Sequence, residues 1–166
     1  MARLEFPSVE QVCQLPEVLS QSIPKDWEDY NGHVNVMYYM KLYEVGGWPM
    51  VEQLGMDETY FSERRCGLFD LEHHISYISE LHVGERVTMH YRLVGYSPKR
   101  FHGLTFIVNR TRMELASTLE FITTGANLDT RRTAAFPEEV GAAIAAMVNE
   151  HAKLDWAAPL CGVISA

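Results

Sequence analysis

The spacing of apolar positions changes near residue 66 from helical to alternating. Between Val34 and Leu54, residues Val34, Met37, Tyr38, Leu42 and Val45 recur every three or four positions, which predicts a helix. Gly46-Gly47-Trp48-Pro49 interrupts the pattern, and Pro49 is placed to kink the helix or to open a second short one ending near Gly55. Only Lys41, Glu44 and Glu52 are charged in this stretch, as expected of a helix enclosed on most sides. Beyond Cys66 the period becomes two. Phe69, Leu71, His73, Ile75 and Tyr77 form one face of a strand, with Asp70, Glu72, His74 and Ser76 on the other. Val87, Met89, Tyr91 and Leu93 then alternate with Arg86, Thr88, His90 and Arg92. Leu104, Phe106 and Val108 alternate with Gly103, Thr105 and Ile107, and a last strand sets Leu115, Leu119 and Phe121 against Ala116 and Ile122.

Short turns such as Tyr96-Ser97-Pro98-Lys99 link these strands, so the sheet should be antiparallel. Upstream, Val18 to Trp27 reads as a first strand that ends or bulges near Pro24. Pro137-Glu138-Glu139 opens a C-terminal helix over 137–154, with proline in the first turn and acids at the positive end. The order strand, helix, four strands, helix predicts an α+β domain: an antiparallel sheet of about five strands wrapped around one long helix. The 166 residues suit a single domain over 1–166, with 1–16 as a loose or peripheral leader.

Composition narrows the function. The net charge is −8, which argues against nucleic acid as a partner and requires any phosphate to be met by a local basic patch. Lys99-Arg100, in a turn, is the first candidate for such a patch; a solvated turn is the competing reading. Cys13, Cys66 and Cys161 are odd in number and widely spaced, as in free thiols of a reducing compartment. Neither a signal segment nor a long apolar span is visible, so a cytoplasmic protein without membrane association is expected. No GxSxG elbow, Walker loop or metal-ligand spacing occurs.

The sharpest cluster of chemistry is Asp26-Trp27-Glu28-Asp29-Tyr30-Asn31-Gly32-His33-Val34-Asn35, ahead of the predicted helix. A helix N-terminus offers unpaired N–H groups and a partial positive charge, which can hold an oxyanion. A carboxylate just upstream can activate water or attack a carbonyl. Gly32 allows a tight turn and a close approach of substrate. The same residues also suit a turn and an N-cap with no chemistry, and the pattern alone leaves both readings open.

Asp29-Tyr30-Asn31-Gly32-His33-Val34-Asn35, with Tyr39 and Glu44 after it, resembles the opening motif of hotdog-fold acyl-CoA thioesterases of the 4-hydroxybenzoyl-CoA thioesterase type. The likeness extends through Glu72-His73-His74, Glu80 to Gly84, and Phe136-Pro137, about residues 18–140. It implies a hotdog fold and hydrolysis of a small acyl-CoA. Asp29 would be general base or nucleophile, the amide near Val36 the oxyanion donor, and His33 an accessory group. Asn31, Gly32, Asn35, Tyr39 and His74 are the candidate substrate contacts, with Lys99 and Arg100 for CoA. The resemblance implies no metal or redox cofactor. It implies a homodimer, or a dimer of dimers, with Asp29 and the acyl pocket partly on different chains. Where many members of the family carry a second Asp, this chain has Trp27. The layout through Lys99-Arg100-Phe101-His102 is similar to that of thioesterases of carnitine breakdown, the betainyl-CoA thioesterases. Trp27, Tyr30, Tyr38, Tyr39 and Trp48 are aromatic residues suited to a quaternary ammonium or to a plain acyl group. A hotdog dehydratase or hydratase, and a non-catalytic acyl-CoA-binding module, are the alternatives.

Overall fold

The computed structural model describes residues 4–166. In chain order the elements are a one-turn helix α1 (Val9–Val12), strand β1 (Leu19–Ser22), a 3-10 turn (Lys25–Trp27), the long helix α2 (Val36–Gln53) and a short helix α3 (Glu58–Ser62). Strands β2 (Cys66–Tyr77), β3 (Arg86–Tyr96), β4 (Arg100–Asn109), β5 (Glu114–Asn127) and β6 (Arg132–Thr133) follow, then helix α4 (Glu138–His151). Every pairing is antiparallel, in the order β1-β3-β4-β5-β2, with β6 beside β5. One adjacency differs from the hairpin expectation. The link after β2 carries the chain across the sheet, so β2 pairs with β5 at the far edge and not with β3.

Helix α2 runs unbroken through Gly46, Gly47 and Pro49. Tyr39, Leu42 and Tyr43 pack with Val87, Met89, Ile107 and Leu119 on the inner face of the sheet. Met50, Val51 and Leu54 continue the contact onto Tyr91, Leu93, Phe101 and Phe121. A Cβ at Gly46 would stand 2.6 Å from the Met89 sulfur, so glycine here lets the helix lie close on β3. Enclosure on most sides is not what a single chain provides. Met37, Met40, Lys41, Glu44 and Trp48 lie exposed on the opposite face, because one sheet covers only one side of a helix.

The first strand is shorter than the Val18–Trp27 pattern suggested. Pro24 supplies no N–H and starts the 3-10 turn instead, which buries Trp27. Bulges correct two of the predicted faces. The register shifts between Asp70 and Glu72, so Phe69 and Leu71 stand 65% and 45% exposed while Ile75 faces the core. A second shift, opposite Ile107 and Val108, puts Leu115 on the outer face although Leu119 is on the inner one.

The outer face is covered by the chain's own ends. Val9, Val12, Leu15 and Trp156 pack on Leu104, Phe106, Val108 and Leu115. Ser8 caps α1 through a reciprocal capping box with Gln11, which orders that part of the expected leader; its residues 1–3 lie outside the described residues. Buried polar groups pin these covers. His90 Nδ1 bonds the Leu15 carbonyl at 2.9 Å, Arg92 donates to the Trp156 carbonyl at 2.8 Å, and Glu120, paired with His102, accepts the Cys161 N–H at 2.7 Å. The C-terminal helix stops at His151, three residues short of the predicted end, and an irregular tail continues over the sheet.

Candidate active site

The segment from Glu28 to Val34 closes a tight loop at the start of α2. Glu28 and Val34 form an isolated antiparallel bridge, and Asp29 N–H donates to the His33 carbonyl at 2.9 Å. Gly32 takes φ +80°, the left-handed conformation that this turn needs. Two anchors hold the loop to the body: Val34 N–H donates to the Leu81 carbonyl at 2.8 Å, and Asn35 N–H to the Trp27 carbonyl at 2.8 Å. His82 Nδ1 meets the Gly32 carbonyl at 3.0 Å from outside. His82 was not singled out by the sequence pattern, which showed only a connection there.

Within the loop the two Asp29 oxygens differ. Oδ1 accepts the Asn31 N–H at 2.8 Å, an Asx turn. Oδ2 is less committed, 3.4 Å from Asn31 Nδ2 and 3.9 Å from His33 Nδ1. The His33 Nδ1 sits 3.2 Å from the Val34 carbonyl, to which it can donate, leaving Nε2 with a free lone pair. Asn35 is the N-cap of α2 and takes the Met37 N–H at 3.1 Å. Val36, the first helical residue, has an N–H with no acceptor inside the helix. A carboxylate oxygen and a dipole-charged amide therefore flank one helix start.

A cleft of about 720 Å³ opens beside this start, between α2 and the inner face of the sheet. Glu44, Trp48, Phe61, Asp70, His73 and Thr123 are among its walls. Asp29, His33 and Asn35 are not among them. The structure places the remaining candidates as follows. Tyr39 is buried and meets Tyr77 edge to face at 5.2 Å, a core position. His73 keeps the inner face that alternation gave it, with Ile75, and lines the cleft, while His74, the expected substrate contact, lies exposed and outside it, because the cleft is on the inner face. Of the aromatic candidates only Trp48 lines the cleft; Trp27 and Tyr38 stack on each other and Tyr30 is fully exposed. Glu44 does not pair with Lys41, whose ammonium lies 5.4 Å over the Trp27 ring. Lys99 and Arg100 sit at the far end of β3 from the Asp29 loop, roughly 30 Å of strand away, so one chain does not bring them together.

Fold and loop together define a known class. The chain belongs to the thioesterase-like superfamily, matched over residues 23–144. Its sheet and central helix are those of hotdog-fold thioesterases. Among curated relatives it is 27% identical over 129 residues to the betainyl-CoA thioesterase of Pseudomonas aeruginosa, covering 78% of this chain and 81% of that protein. It is 28% identical over 138 residues to the bifunctional L-carnitine dehydrogenase/betainyl-CoA thioesterase of Ruegeria pomeroyi, covering 83% of this chain but 28% of that one. Among solved structures it resembles a Staphylococcus aureus protein determined in complex with CoA, with a TM-score of 0.81 at 26% identity, covering 92% of this chain and 96% of that one. It also shares the fold of the DHNA-CoA thioesterase of Staphylococcus aureus, with a TM-score of 0.69 at 20% identity, covering 80% and 92% of the two chains. No helix among the described residues is long and apolar enough to cross a membrane.

Proposed function

We propose that this protein hydrolyses the thioester of a small acyl-CoA, with Asp29 as the catalytic carboxylate. The observation that carries the reading is a loosely held Asp29 Oδ2 in the loop that leads directly into α2, whose first residue, Val36, has an N–H with no acceptor inside the helix. The thioester carbonyl oxygen binds the Val36 amide, where the helix dipole favours negative charge. Asp29 then draws a proton from water as it adds to the carbonyl, or attacks the carbonyl directly to form a mixed anhydride that water then hydrolyses to release the acid and regenerate the carboxylate. The C–S bond breaks, CoA leaves as thiolate and takes up the proton, and the free acid remains. Asn31 holds the carboxylate by its N–H, Gly32 admits the ester, and His33 offers Nε2 toward the reacting group. No metal or redox step is required by this chemistry.

The cleft accepts the acyl group, and the betainyl group, on which two of the relatives act, is one candidate for it. Since Asp29 does not line the cleft of its own chain, a second copy completes the site by bringing its cleft to this Asp29. The same pairing would let Lys99 and Arg100 reach CoA phosphates across subunits. Three unpaired cysteines suit a cytoplasmic setting. Asp29→Asn preserves the turn's shape and removes the base, so kcat should fall by about 10²- to 10⁴-fold in a thiol-release assay. A variant with full activity sinks the assignment.

A further inference from the structure

Strand β2 aims two polar side chains into an apolar cleft by a device that alternation does not encode. Asp70 pairs with Thr123 and Glu72 with Ile122, which leaves Leu71 without a partner on β5. In a regular strand, residues three apart point to opposite faces. The extra residue puts Asp70 and His73 on the same face, and both line the cleft. Asp70 is braced there. Thr123 Oγ1 donates to its Oδ1 at 2.5 Å, and His73 Nε2 lies 3.2 Å from Oδ2. Burial against the wall works to raise the Asp70 pKa, but the hydrogen bonds from His73 and Thr123 outweigh it and hold the carboxyl below its ordinary value.

The rest of the cleft suits a cation with an apolar surface. Trp48 and Phe61 meet edge to face at 5.8 Å in its wall, and Glu44 adds a second carboxylate from α2. Lys41, the one lysine of the lining, already rests its ammonium over the Trp27 and Tyr38 rings, at 5.4 and 6.0 Å. We propose that Asp70 is a specificity-determining residue, pairing with a positively charged acyl head group whose alkyl surface packs on Trp48 and Phe61. This rests on the thioesterase reading and on the cleft as the acyl site.

The test compares two esters of equal shape: trimethylammonioacetyl-CoA and its neutral carbon isostere, 3,3-dimethylbutanoyl-CoA. The wild-type dimer should favour the cationic ester in kcat/KM by about tenfold, the discrimination expected of one partly exposed charge contact. In Asp70→Asn the ratio should collapse toward one. A wild-type ratio near one overturns the proposal without any variant. A ratio that survives in Asp70→Asn but is lost in Glu44→Gln overturns it also, since the carboxylate on α2 would then be the reader. If the wild type cleaves neither ester nor any other small acyl-CoA, the thioesterase reading falls and takes this one with it.

Discussion

At residue scale the most telling position is Trp27, where the family resemblance leads one to expect a second acid. The indole is 5% exposed and lies flat on Tyr38, ring centroids 4.7 Å apart and planes 4° from parallel. Tyr38 Oη donates to the Asp26 carbonyl, and Asn35 N–H to the Trp27 carbonyl, so this stack ties the Asp29 loop to the first turn of α2. The aromatic faces that looked suited to a substrate cation already carry Lys41. Trp27 is therefore a support of the site. Trp27→Ala should cost about 3 kcal/mol in urea unfolding, with Trp27→Phe losing clearly less. Equal stability of Trp27→Ala and wild type would contradict this. The sequence made the Asp29 loop legible because its chemistry is local: an Asx turn, a left-handed glycine and an N-cap all lie within seven residues. Asp70 and His73 were not legible together. Their shared direction depends on one unpaired residue, Leu71, and simple alternation assigns them to opposite faces.

At the scale of elements, β3 shows how this fold closes an edge. Strand β1 covers only the first residues of β3, from Arg86 to Met89. Beyond it α4 takes over, and the His151 Nδ1 accepts the Leu93 N–H at 2.9 Å. The imidazole must be neutral at Nδ1 to do so, and burial, with the Arg92 charge nearby, pushes its pKa below the ordinary value. His90, bonded to the Leu15 carbonyl, is shifted the same way by burial. For a depressed histidine the unfolded chain takes up protons first. The stability these groups contribute is complete above the unfolded pKa of about 6.5 and is lost as pH falls through the lower folded values. Denaturation midpoints should thus decline below about pH 6.5. His151→Gln, which keeps an acceptor without a titration, should make that decline shallower; an unchanged profile would rule out His151 as a contributor. The wrapping of β2 to the far edge of the sheet was equally hidden from local pattern, since period-two alternation fixes faces but not neighbours.

At the scale of the whole molecule, the two sides of the sheet have opposite fates. The outer face is closed by α1 and the C-terminal tail, which bury Leu104, Phe106 and Val108. A second dimer docking back to back on this face would have to displace them. The α2 side is open. Met37 is 62% exposed and Trp48 48%, beside the long edge strand β2, which among the described residues pairs only with β5. An edge of twelve residues next to exposed apolar side chains is a template for another chain. The cleft lies on this side and lacks Asp29, and the proposed reading fills this side with a second copy related by a two-fold axis. The protein should run as a dimer, twice the 18.9 kDa of one chain, in light scattering at micromolar concentration. Phe69→Glu with Leu71→Glu leaves Asp29 and the inner-facing Asp70 in place but charges the edge. That variant should scatter as a monomer and lose most thioesterase activity, while its far-ultraviolet dichroism stays that of the folded chain. A folded monomer with wild-type turnover would show instead that each chain carries a complete site, and the Asp29 loop and the cleft would have to meet within one subunit.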